Sequence, residues 1–179
     1  MFSTQVSIVI FDRDGTLIDN VPYASAKNEV TIRPGVNEGL MLLRSHQIPM
    51  AVATNQSGIG RGLITLTDVR AINKKIESLV GQIGPWYICP HSPSYGCKCR
   101  KPLPGLVTSA LSHARANPKF ATIIGDRLSD IQAGTFAKTN SILVPSADTP
   151  KNEITQAPYV ASSISEAVAM VLAGDSKVN

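Results

Sequence analysis

The sequence has little that would place the protein in a membrane or on nucleic acid. No apolar run is long enough to cross a bilayer, and the first residues lack the basic segment and cleavage site of a secretory signal. Aromatic residues make up only 5% of the chain, and no run of five or more basic residues occurs. We therefore expect a cytoplasmic protein without a nucleic-acid-binding arm, whose net charge of +4 favours anionic partners.

Cysteine is also scarce, and its placement is informative. The chain has three cysteines, Cys89, Cys97 and Cys99, all within one short segment. An odd number of cysteines in a protein expected in the cytoplasm argues against a disulfide framework and favours metal binding or a reactive thiol. With His91 between them, the segment supplies three thiolates and an imidazole, which make a complete tetrahedral zinc set. A closed set of four ligands is typical of structural rather than catalytic zinc.

The length and patterning of the chain predict one domain spanning residues 1–179. Apolar strand-like segments alternate with amphipathic helix-like segments, which predicts an α/β fold: a Rossmann-like three-layer sandwich with a mainly parallel central sheet. We expect strands at 7–11, 50–53, 86–88, 121–124 and 141–144, and an edge strand at 159–161. We expect helices at 34–45, 67–80, 105–117, 129–139 and 163–172, with Thr67 and Ser163 as N-caps. The irregular segments are predicted at 19–32, 54–62 and 145–158.

Polar motifs follow three of the predicted strands. Asp12 and Asp14 follow the first strand, Thr54 and Asn55 end the second, and Asp126 follows the fourth. In a parallel sheet, ligands bind beyond the carboxyl ends of the strands, so these motifs are expected to meet. Two carboxylates one residue apart repel each other and favour a hard cation such as Mg²⁺ between them. One of them can attack a phosphorus atom while the other transfers a proton.

The Asp-Arg-Asp-Gly-Thr motif at 12–16 resembles the first motif of the phosphatase branch of the haloacid dehalogenase superfamily. The resemblance implies a two-step reaction in which Asp12 attacks phosphorus and becomes an aspartyl phosphate. Asp14 would protonate the leaving alcohol and then help to deprotonate the water that hydrolyses the intermediate.

Later motifs extend this resemblance. Thr54 resembles the second motif, Lys101 the third and Asp126 the fourth. The resemblance implies that Asp12, Asp126 and the backbone carbonyl of Asp14 hold Mg²⁺. Thr54 and Lys101 would then balance the charge of the transferred phosphoryl group. Asp130 remains open between supporting this site and capping a helix N-terminus.

The Cys-Pro-His and Cys-Lys-Cys-Arg-Lys-Pro motifs narrow the resemblance to the histidinol-phosphatase-related branch, which includes D-glycero-D-manno-heptose 1,7-bisphosphate phosphatases. Such enzymes lack a large cap domain, and the zinc-binding loop would shape the pocket instead. The loop is shorter here than in some heptose enzymes, and Arg127 replaces a common lysine. The resemblance implies a set of substrate-binding residues: Arg13, Asn20, Tyr23, Asn55, Gln56, Ser57, Arg100 and Arg127.

The leading hypothesis is therefore a monomeric phosphatase that uses Mg²⁺ and carries Zn²⁺. Its substrate is a small phosphorylated metabolite, with a heptose bisphosphate favoured because Arg100 and Arg127 suit a second phosphate. Histidinol phosphate is the alternative within the branch. A zinc-stabilised nucleic-acid module or a DNA-end phosphatase is suggested by the Cys/His set and the pI near 9.1. The few aromatic residues and the lack of a basic stripe argue against both.

Overall fold

The five strands of the fold form one parallel sheet. The computed structural model describes residues 6–20 and 30–174. Within them the sheet has the order β3-β2-β1-β4-β5, and every neighbouring pair is parallel. The strands are β1 (Ile8–Phe11), β2 (Met50–Asn55), β3 (Trp86–Cys89), β4 (Ala121–Gly125) and β5 (Asn140–Leu143). This arrangement confirms the predicted α/β fold with a parallel central sheet.

Helices cover both faces of this sheet. They are α1 (Val36–Ser45), α2 (Ser57–Gly60), α3 (Leu66–Val80), α4 (Gly105–Ala114), α5 (Leu128–Ala137), α6 (Lys151–Gln156) and α7 (Ile164–Gly174). Val9 and Phe11 of β1 pack in a core with residues of α1, α3 and α7, whereas Ile8 and Ile10 pack against α4 and α5. This alternation follows from the two-residue period of a strand, and it produces the three layers. No helix of the described residues is long and apolar enough to cross a membrane.

Three predictions of secondary structure were wrong. The segments 54–62 and 145–158 were expected to be irregular, but they contain the short helices α2 and α6. Each has only one or two turns, too few for an apolar period to show in the sequence. The predicted edge strand at 159–161 is only a single bridge between Val160 and Leu143.

The N-cap of α3 is Thr65 and not the predicted Thr67. The Thr65 hydroxyl accepts a hydrogen bond from the Asp68 amide (3.1 Å), and the Asp68 carboxylate accepts one from the Thr65 amide (2.8 Å). The Thr65 hydroxyl also donates to Asp68 Oδ2 at 2.6 Å, and this bond, followed by the one from the Thr65 amide, lowers the pKa of Asp68. The spacing of a capping box therefore decides the helix start, because Asp68 stands three residues after Thr65. At α7, Ser163 does cap the helix by accepting from the Glu166 amide (3.2 Å).

Candidate active site and metal centres

Polar residues at the carboxyl ends of the strands surround one cavity at this edge of the sheet. The cavity has a volume of about 420 Å³. Nine of the predicted site residues line it: Asp12, Asp14, Asn20, Thr54, Asn55, Arg100, Lys101, Asp126 and Arg127. Four further residues complete the wall: Pro102, Ser129, Asp130 and Asp148. The parallel topology thus brings together motifs that lie far apart in the chain.

Three buried carboxylates form the base of the cavity. Oxygen atoms of Asp12, Asp126 and Asp130 lie within 4.8 Å of one another. Burial raises the pKa of Asp12 to about 8; Lys101 opposes this shift, and the other carboxylates add to it. Burial also raises the pKa of Asp126 to about 6. So much negative charge in a poorly solvated place requires nearby positive charge.

Lys101 supplies part of that charge. Its Nζ lies 2.6 Å from Asp12 Oδ1 and 2.5 Å from Asp130 Oδ1, and it donates to the Ala53 carbonyl at 2.6 Å. Burial alone would lower the pKa of Lys101, but the two carboxylates outweigh it and raise the pKa. Asp130 also accepts a hydrogen bond from the Arg127 amide (3.1 Å) at the start of α5. Asp130 therefore both supports the site, through Lys101, and caps the N-terminus of α5.

Asp126 presents one oxygen to the cluster while the other is anchored. Its Oδ2 accepts from Ser146 Oγ at 2.7 Å, whereas its buried Oδ1 has no hydrogen-bond partner among the described residues. The carboxylate lies over Gly15, whose φ is +79°, and a side chain there would collide with it. An unpartnered carboxylate oxygen beside Asp12 fits a hard divalent cation, because such ions prefer carboxylate oxygens.

The Asp14 carboxylate is held from two sides. Arg13 Nη2 lies 3.0 Å from Asp14 Oδ2, and Gln56 Nε2 donates to the same oxygen at 2.7 Å. Arg13 is only 2% exposed and also donates to Asn73 Oδ1 on α3 (3.1 Å). Arg13 and Gln56 were predicted to bind substrate, but neither lines the cavity. Arg13 therefore lies beside the Asp14 carboxylate and outside the cavity wall, where it supports Asp14 instead of contacting substrate.

The remaining predicted substrate residues differ in their placement. Asn55 exchanges two hydrogen bonds with the backbone of Lys101, both 3.1 Å, and so joins the end of β2 to the Arg100-Lys101 segment. Arg100 has a buried Nη1 without a hydrogen-bond partner among the described residues. Ser57 begins α2 and does not line the cavity. Tyr23 lies outside the described residues.

The segment after β5 contributes residues that the sequence analysis missed. Glu153 of α6 forms a bidentate ion pair with Arg127, at 2.8 and 3.1 Å, and the Arg127 side chain remains 47% exposed. Asp148 accepts from Asn20 Nδ2 at 3.0 Å on the cavity wall. No sequence motif marks Glu153 or Asp148, because each meets its partner only through the fold.

The second candidate metal centre is the loop that follows β3. The Sγ atoms of Cys89, Cys97 and Cys99 lie 3.3–3.7 Å apart, and His91 Nδ1 lies 3.3 Å from Cys99 and 3.6 Å from Cys89. Bonds of about 2.3 Å in a tetrahedral site place ligand atoms roughly 3.8 Å apart. The four atoms thus have the spacing of a slightly contracted tetrahedral site.

The loop of residues 89–99, which we call the thiolate loop, packs against α2. The amide of Gly60 donates to the Pro90 carbonyl at 2.8 Å, and a side chain at Gly60 would collide with the backbone of this loop. The His91 ring stacks on Tyr95 with a centroid distance of 4.4 Å. Because Cys99 directly precedes Arg100 and Lys101, an ion in this loop would fix the start of the segment that carries both cations.

A parallel α/β sheet with a buried Asp-Lys-Asp cluster at its carboxyl edge defines the chain as a haloacid-dehalogenase-like hydrolase. A family model described as HAD-hydrolase-like matches residues 98–167. The chain is 33% identical over 144 residues to D-glycero-beta-D-manno-heptose-1,7-bisphosphate 7-phosphatase of Pseudomonas putida, covering 78% of this chain and 82% of the relative. Identity to the Pseudomonas aeruginosa enzyme of the same name is 34% over 143 residues, covering 77% and 80%.

A solved structure shows the same relationship. The crystal structure of D,D-heptose 1,7-bisphosphate phosphatase from B. bronchiseptica, complexed with magnesium and phosphate, matches with a TM-score of 0.82 and 27% identity. The match covers 92% of this chain and 97% of that one. The chain belongs to the family of these heptose-bisphosphate phosphatases and is a phosphoric monoester hydrolase.

Proposed function

We propose that the protein hydrolyses the 7-phosphate of D-glycero-D-manno-heptose 1,7-bisphosphate. The observation that carries this proposal is the pairing of two cationic groups in one cavity. Lys101 Nζ lies 2.6 Å from Asp12, where the reacting phosphoryl group would sit. Arg100 is on the same wall, and its buried Nη1, which has no hydrogen-bond partner among the described residues, can receive a second anionic group. The names of the relatives agree with a bisphosphate substrate.

The buried carboxylate of Asp12 is the proposed nucleophile. It is the strand-end carboxylate next to Lys101, whose ammonium group offsets charge on the phosphoryl oxygens. The Thr54 hydroxyl accepts from Gln56 Nε2 at 2.8 Å, so its own proton is available to a phosphoryl oxygen. Mg²⁺ held by Asp12, Asp126 and the backbone carbonyl of Asp14 would neutralise further charge on the transferred group.

Asp14 is the proposed acid and base. Its side chain is 22% exposed and lines the cavity, so it can reach a leaving oxygen. The hydrogen bonds from Arg13 and Gln56 fix its orientation toward that position. It would give a proton to the sugar oxygen as the bond to phosphorus breaks, and then take one from the water that attacks the aspartyl phosphate.

For the thiolate loop we propose a structural Zn²⁺. Thiolates and an imidazole without an open position suit zinc and not the hard cation of the carboxylate cluster. Zinc would stiffen the loop from Cys89 to Cys99 and thereby hold Arg100 and Lys101 at the cavity. We further propose that the chain acts as a cytoplasmic monomer made of one domain.

Phosphate release from purified protein tests the substrate. With Mg²⁺, we expect kcat/KM to be highest for heptose 1,7-bisphosphate, lower for the heptose 7-phosphate and lowest for histidinol phosphate. The Asp12→Asn variant, prepared in the same way, excludes a contaminating phosphatase. Preference for histidinol phosphate would overturn the substrate assignment, although the relatives do not favour that alternative.

A further inference from the structure

The turn that follows β5 binds Asp126 through two hydroxyl groups. Ser146 Oγ donates to Asp126 Oδ2 at 2.7 Å, and Thr149 Oγ1 donates to the Asp126 backbone carbonyl at 2.8 Å. Thr149 is 9% exposed, and its hydroxyl oxygen accepts from the Ser146 amide at 2.8 Å. One short turn therefore holds both the side chain and the backbone of a single residue.

Hydrogen-bonding capacity and acceptor strength together set the directions in this network. A hydroxyl group has one proton to donate. The carbonyl of Asp126 can only accept, so Thr149 Oγ1 donates to it and acts as an acceptor toward Ser146 N and toward Ser146 Oγ, which lies 3.2 Å away. The strongest acceptor near Ser146 Oγ is the Asp126 carboxylate, since hydrogen bonds to charged groups are stronger than neutral ones. Asp126 Oδ2 is thus occupied, and Oδ1 is left unpartnered within the described part of the chain.

Arg33 connects this turn to the loop after β1. Its Nη2 donates to the Pro145 carbonyl at 2.8 Å, and its Nη1 donates to the Gly15 carbonyl. Gly15 is the residue whose missing side chain makes room for the Asp126 carboxylate. The same guanidinium therefore spans both sides of the space in which this carboxylate lies.

From this geometry we infer that Ser146 and Thr149 are positioning residues that present Asp126 Oδ1 to the catalytic cation. The inference rests on the proposed function, in which Asp126 binds Mg²⁺. Groups that orient a metal ligand typically affect metal affinity by about 10- to 100-fold. Without the Ser146 hydroxyl, the Asp126 carboxylate can rotate in the metal-free protein and loses this freedom only when Mg²⁺ binds. The affinity for Mg²⁺ therefore falls, whereas the chemistry at Asp12 is unchanged.

Titration calorimetry with MgCl₂ alone tests the inference without substrate. We expect Ser146→Ala to raise the Mg²⁺ dissociation constant by about 10- to 100-fold. Thr149→Val should raise it less, and Thr149→Ser, which keeps the hydroxyl, should restore the wild-type value. Ser109→Ala is the matched control, because Ser109 lies on the exposed side of α4 and its hydroxyl donates to the Gly105 carbonyl of the same helix.

Kinetics provide the second measurement. At saturating Mg²⁺ the kcat of Ser146→Ala should stay within about threefold of wild type, whereas the Mg²⁺ concentration for half-maximal rate should rise with the dissociation constant. A wild-type dissociation constant for Ser146→Ala, or equal values for Thr149→Val and Thr149→Ser, would overturn the inference and leave the proposed function intact. Wild-type protein that binds no Mg²⁺ would instead overturn the proposed function. If Ser146→Ala does not fold, the Mg²⁺ dissociation constants of Thr149→Val and Thr149→Ser test the inference.

Discussion

The two candidate metal centres of this protein are built in opposite ways. The carboxylate centre draws Asp12, Asp126 and Asp130 from two strand ends and a helix, and all three are buried. The thiolate centre draws all four ligands from residues 89–99, and three of them are partly exposed. A buried cluster of like charges needs the whole sheet and a lysine to hold it together, whereas a short loop can close around a soft ion by itself.

This difference indicates a division of roles. The carboxylate centre lies in a poorly solvated cavity, where charges act strongly on a transferred phosphoryl group. With zinc bound as proposed, the thiolate centre would have no open position for substrate. The two centres are adjacent in the chain, because Cys99 of the thiolate centre is followed directly by Arg100 and Lys101 of the cavity. Variants that damage one centre should therefore have effects that differ in kind from those that damage the other.

The largest effect is expected from Asp12→Asn. The amide has nearly the same shape but is a far weaker nucleophile, so kcat/KM should fall by at least about 10⁴-fold. Asp68→Asn, which changes a carboxylate far from the cavity, should keep full activity. Phosphate release measured under Mg²⁺ saturation distinguishes them. Near-normal turnover by Asp12→Asn would remove Asp12 from the role of nucleophile.

Loss of the thiolate centre should have a smaller and indirect effect. Cys99→Ser should reduce bound zinc from one equivalent to near zero by elemental analysis. Displacement of Arg100 and Lys101 by about 1 Å would lower kcat/KM by roughly 10²-fold. The circular dichroism spectrum should keep its α/β character, because Cys99 only packs against a core that is formed mainly by residues of the strands and helices. Ser94→Ala in the same loop is the control. One equivalent of bound zinc in Cys99→Ser, or global unfolding of this variant, would contradict the proposed division of roles between the two metal centres.

Arg100→Ala should reduce activity on the bisphosphate more than activity on the matching monophosphate. Loss of a charged hydrogen bond costs about 1.5–3 kcal/mol, so kcat/KM for the bisphosphate should fall roughly 10- to 150-fold more than for the matching monophosphate. Lys101→Ala should weaken both substrates alike, since it serves the reacting phosphoryl group. Lys98→Ala, an exposed cation of the same loop, should change neither. Equal losses on both substrates with Arg100→Ala would point to a monophosphate substrate.

The smallest expected effect lies far from both centres, at the N-cap of α3. Thr65→Ala should cost about 1 kcal/mol, or roughly 2–4 °C in Tm for a domain of this size. Thr67→Ala is the matched control and should leave Tm unchanged. Because its hydrogen bonds to Thr65 lower the pKa of Asp68, their contribution is present above about pH 4 and is lost as the pH falls through the folded-state pKa. The Tm difference between wild type and Thr65→Ala should therefore shrink below pH 4.

Features that depend on neighbouring residues could be predicted from the sequence alone. The thiolate set lies within one loop, and the strand that ends at Phe11 leads directly into Asp12 and Asp14. The alternation of strands and helices was sufficient for the parallel sheet, and a parallel sheet collects its strand ends at one edge. Sequence therefore determined the fold class, the location of the cavity and most of its wall.

Only the tertiary structure decided how those residues are paired. Lys101 meets Asp12 and Asp130 across the sheet, and Ser146 meets Asp126 from the turn after β5. Arg13, which stands within the motif itself, turns away from the cavity and supports Asp14. These contacts join side chains distant in sequence, and their partners are selected by packing and burial. No local period or spacing encodes such a choice, because the cost of burying a charge depends on everything around it.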